Sequence, residues 1–420
     1  MPAVGTYASA KQFLGVAVEA TPGTPLAMTT TIPVEKFEWE DKPVWLDDKS
    51  WTGSMVGLRG KQQGVIKTDF TISGNVFGDT FGFFLRNILG DVAYTGGTNS
   101  GSSTTTTGAL TAGTTTVIPV TSATGITPGV VLAIDTSTSL ELVTVASVVS
   151  LNVTITQPVA RSHSSGVTVQ PVTATFNSKF AVYNGGNGQP VTHTFTHYEG
   201  TPATTGARQF PSSCLSELTL KWNAETALFT FEAKGSSWPS VIAAGTPTAA
   251  PSTVPPIASW RGLLGVSGPA SGGTLVSTAM DGEITIKRNL EPIFTAANTQ
   301  SPLIIQRGAC DVSGKVNFVA VSNSFSAGTS AEQPYLFMIN NTQPQVQLVL
   351  SNGSAGAANI THTINTQSTA FTASKFDAAK DAIMYQASFD AIPNTTDSGI
   401  SGGISPIAYT LANAVSPGTY

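Results

Sequence analysis

Phe70-Thr71-Ile72-Ser73-Gly74-Asn75-Val76-Phe77 alternates apolar and polar residues, and Val312-Ser313-Gly314-Lys315-Val316-Asn317-Phe318 repeats the pattern in the other half of the chain. A period of two places every second side chain on one face, as in a strand with one side buried. An Arg-Gly pair precedes each stretch, Arg59-Gly60 and Arg307-Gly308. Each runs on into an apolar segment with helical spacing, residues 80–89 and 331–339. Further along, residues 218–234 line up with 371–389. The order of elements is the same in both halves, so the chain reads as one small β-domain written twice. Doubling of this kind suits the building of rings better than the holding of one active site.

Strand signals dominate elsewhere. Leu218-Thr219-Leu220-Lys221-Trp222, Glu283-Ile284-Thr285-Ile286-Lys287 and Val346-Gln347-Leu348-Val349-Leu350 all alternate. One helix is expected per half. The first is capped by Asp79 or Thr80 and stopped by Gly90; the second tolerates Pro334 only in its first turn.

Composition points the same way. Charged residues make up 11% of the 420, against ~25% in an ordinary domain, leaving a surface of Thr, Ser, Gly, Ala and Asn suited to close packing against copies of itself. A formal net charge of -5 gives no basic footprint for nucleic acid. Cys214 and Cys310 form no disulfide framework or zinc motif. The opening Met1-Pro2-Ala3-Val4-Gly5-Thr6 lacks the regions of a signal peptide, and no apolar run is long enough to cross a membrane.

The expected organisation is discontinuous. Residues 1–97 plus 173–240 form a first domain, and 257–395 a second. Residues 98–172 form a small all-β decoration module, entered through the Ser/Thr/Gly-rich stretch 96–108 and inserted at a loop tip. Residues 241–256, rich in Ala, Thr and Pro, read as a linker. The tail 396–420 reads as having little to bury.

Few residues invite chemistry. His193 and His197 are four apart on a strand, ~13 Å between Cα atoms, too far to chelate one metal alone. His163 and His362 show no acid or thiol of interest nearby in sequence. Ser401 matches Gly-x-Ser-x-Gly, but no acid or histidine follows it and no strand and helix flank it. Gly185-Gly186-Asn187-Gly188 lacks the Lys-Ser/Thr of a phosphate loop. No catalytic group, metal or cofactor is expected. Residues 41–67 stand out as a long segment without clear periodicity. Its Trp45, Asp47, Asp48, Trp51, Met55, Leu58 and Arg59 are candidates for contact with another subunit.

Two stretches carry a resemblance. Phe13-Leu14-Gly15-Val16-Ala17-Val18-Glu19-Ala20-Thr21-Pro22-Gly23-Thr24-Pro25 resembles the opening of major tail tube proteins of long, non-contractile-tailed bacteriophages. So does Met280-Asp281-Gly282-Glu283-Ile284-Thr285-Ile286-Lys287-Arg288-Asn289-Leu290-Glu291-Pro292, followed by Arg307-Gly308 and residues 312–316. The resemblance covers both repeats but not the insert. It implies two tandem β-sandwich or barrel domains, each with one helix, whose inner sheets join around a ring into a channel for DNA. It also implies that the segment 41–67 reaches the next ring. Two domains per chain would need three chains, not six, for a pseudo-sixfold ring, and head-to-tail stacking of rings makes a tube. The expected partners are the chain itself, a tape measure and a tail terminator, with DNA passing unbound and no membrane. The expected location is the virion tail, after assembly in the host bacterial cytoplasm. The competing reading is a cell-surface or adhesive β-repeat protein whose small module binds carbohydrate.

Overall fold

The computed structural model describes residues 8–200, 207–243, 249–320, 333–378 and 383–420. The protein is mainly β, with two sheets and two α-helices among these residues. The chain opens with β1 (Phe13–Val18), β2 (Thr30–Ile32), β3 (Lys36–Asp48), β4 (Gly60–Asn75), α1 (Gly82–Ile88) and β5 (Gly90–Asn99). Short strands follow: β6 (Thr104–Thr105), β7 (Val117–Pro119), β8 (Val131–Ile134), β9 (Glu141–Val149) and β10 (Asn152–Ile155). Next come β11 (Thr168–Val182), β12 (His193–Tyr198), β13 (Ala207–Asn223), β14 (Thr230–Ser237) and β15 (Val241–Ile242). The second half holds β16 (Gly262–Val266), β17 (Ala279–Ile293), β18 (Ile304–Val319), α2 (Gln333–Ile339) and β19 (Val346–Ser351). It ends with β20 (Thr361–Thr366), β21 (Thr369–Asp377), β22 (Met384–Ala391) and β23 (Ala408–Asn413).

The alternating stretches that opened the sequence reading lie side by side in one layer. Neighbours run β3-β4-β14-β13 from the first half, then β17-β18-β22-β21 from the second, all antiparallel. Each half thus contributes four strands in the same order, and β13 and β17 join them. Phe70, Ile72, Leu218, Leu220, Ile284, Ile286, Val312 and Val316 point from this layer into a common core. Helix α1 supplies Phe83, Phe84, Leu85 and Ile88 to that core, and Gly90 ends it at φ 93°.

The second layer runs β16-β19-β20-β23-β11, with β5 also on β11. It continues through β8, β9, β10 and β7, so the short strands extend the same sheet while burying a separate cluster that includes Leu110, Ile118, Leu132, Val153 and Val169. Strand β13 bends and so serves different partners along its length. Up to Ser213 it pairs with β12 and, at Arg208 and Gln209, with β15; beyond, it pairs with β14 and β17. Ser212 sits at the bend with φ 51°, its amide donating to the buried Glu19 carboxylate at 2.9 Å. The Thr192 and Thr194 hydroxyls also donate to Glu19, each at 2.6 Å. The Glu19 of the family-like opening is therefore a buried acceptor that fixes this corner.

Three expectations need correction. The tail is not bare: β23 sits between β20 and β11, joining the outer strands of the two halves, and Tyr420 is fully buried beside Phe83 and Phe180. Residues 41–67 are mostly strand, the distal half of the β3–β4 hairpin, with irregular backbone only at 49–59. The two Arg-Gly pairs are not equivalent: Arg59 is an exposed residue at the hairpin end, whereas Arg307 is buried within β18.

Candidate functional site

The joint between the halves is an ordinary antiparallel pairing, with Leu218 opposite Ile286 and Leu220 opposite Ile284 on the buried face. On the other face Thr219 and Thr285 hydroxyl oxygens lie 3.1 Å apart, and Glu217 reaches Lys234 at 3.0 Å and Lys287 at 3.5 Å. Each such cross-strand pair contributes ~0.2–1 kcal/mol. Two buried arginines of the second half reinforce the joint. Arg307 donates to the carbonyls of Asn87 and Pro190, each at 2.6 Å, and Arg288 to that of Ile88 at 3.2 Å. They thereby satisfy carbonyls at the C-terminus of α1, where positive charge is favoured. Burial lowers both guanidinium pKa values and pushes Cys310 up to about 12, so the neighbouring thiol stays protonated.

The two ends of this eight-strand array are open. Among the described residues β3 pairs only with β4, and β21 only with β22. Unpaired edges of this length are templates for another strand.

The face away from the core is predominantly polar. Lys36, Lys42, Lys67, Lys221, Lys234, Lys287, Lys315 and Lys375 stand among Glu38, Glu40, Asp69, Glu217, Glu232, Asp281, Glu283, Asp311 and Asp390. Lys67 and Lys42 meet Asp69 at 2.9 and 3.2 Å. Partial burial pushes the Asp69 carboxyl up, but the Ser236 hydroxyl and the two lysines outweigh it and hold the pKa low. Exposed pairs of this kind contribute only ~0–1 kcal/mol to stability. Their larger effect is to cancel charge across the face.

The third feature is the apex of the β3–β4 hairpin. Trp51 and Met55 are fully exposed, and Val44, Trp45, Leu46, Val56 and Leu58 are exposed too. Asp47 pairs with Lys61 at 3.3 Å, and Asp48 lies 3.9 Å from Arg59. The Ser50 hydroxyl and amide donate to Asp48 and lower its pKa. The candidate residues are therefore brought together, and the tryptophans do not fold back onto the core. Seven exposed apolar side chains thus lie at one end of this hairpin.

The other candidates resolve into structure. His193, His197 and His362 are buried, and burial lowers their pKa values to about 3, 4 and 3, leaving neutral rings. His163, which looked isolated in sequence, lies between Asp135 at 3.3 Å and Glu141 at 3.1 Å. Among the described residues no cluster of histidine, cysteine and carboxylates could hold a metal. The Ser401 hydroxyl donates to Asp91 at 2.6 Å and accepts from the Asn184 amide, which makes it a turn anchor. One signal was missed: Ala8-Ser9-Ala10-Lys11-Gln12-Phe13-Leu14-Gly15-Val16 recurs as Ala258-Ser259-Trp260-Arg261-Gly262-Leu263-Leu264-Gly265-Val266. In both copies a 3₁₀ turn leads into a strand, Ser9–Lys11 into β1 and Ser259–Arg261 into β16.

The eight-strand array thus combines an open edge at each end, a charge-balanced polar face and an exposed apolar apex. The profile of the phage tail tube protein family matches residues 9–391, and the chain belongs to that family. It is thus a structural component of the virion tail. Among curated proteins none matches it. No helix among the described residues is long and apolar enough to cross a membrane.

Proposed function

We propose that three copies of the chain close into a ring and that rings stack into the tail tube of a long, non-contractile-tailed phage. The observation that carries this reading is the doubled array, β3-β4-β14-β13 continued by β17-β18-β22-β21 with an open edge at each end. The joint inside the chain is the pattern for joints between chains. Three chains supply twenty-four strands, which at ~4.8 Å spacing make a wall roughly 115 Å around and ~37 Å across between strand axes. That leaves room for duplex DNA.

The polar face lines this lumen. Its lysines are matched by carboxylates, and an unmatched basic lining would hold DNA through phosphate contacts. DNA therefore passes without specific binding during ejection. The apex residues Trp45, Asp47, Asp48, Trp51, Met55, Leu58 and Arg59 contact the adjacent ring, a heterologous contact that propagates. In this reading residues 1–97 with 173–240 and residues 257–395 are the two tube domains, joined by the linker 241–256. Residues 98–172 decorate the outside, and the segment 396–420 ties the two domains together. Assembly takes place in the host cytoplasm on a tape measure and ends at a tail terminator. Negative-stain images of the purified chain test the proposal: hollow tubes or rings are expected, and persistent monomers would refute it.

A further inference from the structure

The chain carries one structural slot twice, and among the described residues only one copy is filled from within. In the second half the slot lies between the turn Ser259–Arg261 and β17. The end of β13 and the turn after it occupy the slot. Lys221, Trp222 and Asn223 pair with Glu283, Gly282 and Asp281. The Phe229 amide donates to the Ile257 carbonyl at 2.9 Å, and the Ser259 amide to that of Ala227 at 3.1 Å. Phe229 is fully buried there. In the first half the corresponding walls are the turn Ser9–Lys11 and the start of β3, as the repeated nonapeptide indicates. Between them lies a groove of about 830 Å³, lined by Phe13, Thr31, Val34, Phe37 and Tyr198 among others. Among the described residues no strand lies along the outer edge of β3.

We propose that β21 of a second copy of the chain lies along this edge and fills the groove. The inference rests on the ring reading and adds to it a seat and a register. Gly74 pairs with Phe231, which pairs with Leu220; Gly314 pairs with Phe389, which pairs with Phe371. Leu220 and Phe371 are therefore counterparts. Two residues before each glycine, Ile72 pairs with Phe37 and Val312 with Ile286, which makes Phe37 and Ile286 counterparts as well. Transposing the filled joint sets Thr369 of one copy opposite Phe37 of the next, Ala370 opposite Lys36, and Phe371 opposite Glu35. The far end of β21 carries the exposed Phe376, an apolar group suited to a groove with aromatic walls. A second copy supplies at the first half's edge what the second half supplies for itself.

Paired cysteines read the register directly. Ala370→Cys combined with Lys36→Cys, in the full chain under assembly conditions, places thiols where the internal joint holds Thr219 and Thr285. Both positions are on the polar face, so the core is untouched. Mild oxidation is expected to give covalent dimers and trimers on a non-reducing gel, while each single variant stays monomeric. Cross-linking is expected to fall at least tenfold for Ala370→Cys with Glu40→Cys, displaced by ~13 Å along the strand. Tubes seen by microscopy without the first cross-link, or with the displaced pair cross-linking as well, would overturn this register and leave the ring reading intact. Failure of the native chain to form rings or tubes would overturn both.

Discussion

The hairpins β3–β4 and β17–β18 are copies of one design with different ends. Both extend past the shorter strands beside them. The first ends in Trp51, Met55, Val56 and Leu58, all open to solvent. The second leans on the first: the Ile66 amide donates to the Gln300 carbonyl at 2.9 Å, and the Gln300 side chain donates to the Gly64 carbonyl at 2.9 Å. Duplication preserved the strands and freed the ends to diverge. In the proposed reading one hairpin is the contact and the other its brace.

The largest expected effect comes from removing the contact. Replacing residues 49–59 by an Asn-Gly turn keeps a closable hairpin, and is expected to leave folded rings that do not elongate. Normal tubes from this variant would show that the apex is dispensable. Point changes sharpen the contrast. Trp51→Ala with Met55→Ala is expected to slow tube growth, followed by light scattering, about tenfold to thirtyfold, the size of a hot spot of ~2 kcal/mol. Leu303→Ala, at the exposed end of the second hairpin, should change growth by less than about twofold.

The stems differ as well. Seven residues before Gly314 is Arg307, and seven before Gly74 is Lys67, which meets Asp69 on the polar face. Arg307→Met leaves the Asn87 and Pro190 carbonyls without their donor and is expected to cost about 2–4 kcal/mol in denaturant unfolding. Lys67→Met should cost no more than about 0.5 kcal/mol. Equal costs would contradict the different roles given to the two stems.

Acid acts on the body that both hairpins share. The buried His193, His197 and His362 have pKa values of about 3–4 instead of the ordinary 6.5. Between those values the unfolded chain binds protons that the folded chain refuses, so stability falls as pH drops from about 6.5 towards 4. Thermal melting should show a lower Tm at pH 5 than at pH 7.5. An unchanged Tm would count against neutral buried rings.

Legibility followed burial. Residues 70–76 and 312–318 could be read because one face of each is in the core and the other is not. The distal hairpin strands lost that signal: Val44, Trp45 and Leu46 are all exposed, so side-chain polarity no longer alternates and the stretch read as a loop. The Arg-Gly pairs misled because two residues are too short a match to fix register. The nonapeptide at Ala8 and Ala258 carried the register and went unread. Glycine and serine around residue 400 concealed that the tail beyond it ends in buried Tyr409, Leu411 and Tyr420. The apex tryptophans were legible as candidates, since large aromatics beside charges and glycines have no obvious core to join.

The central claim is that one chain fills two of six positions. Reconstruction of the tube from electron micrographs tests it most directly through rotational symmetry and chains per ring. Three chains related by a threefold axis, with a pseudo-sixfold inner wall, are expected; six chains per ring under true sixfold symmetry would contradict the account.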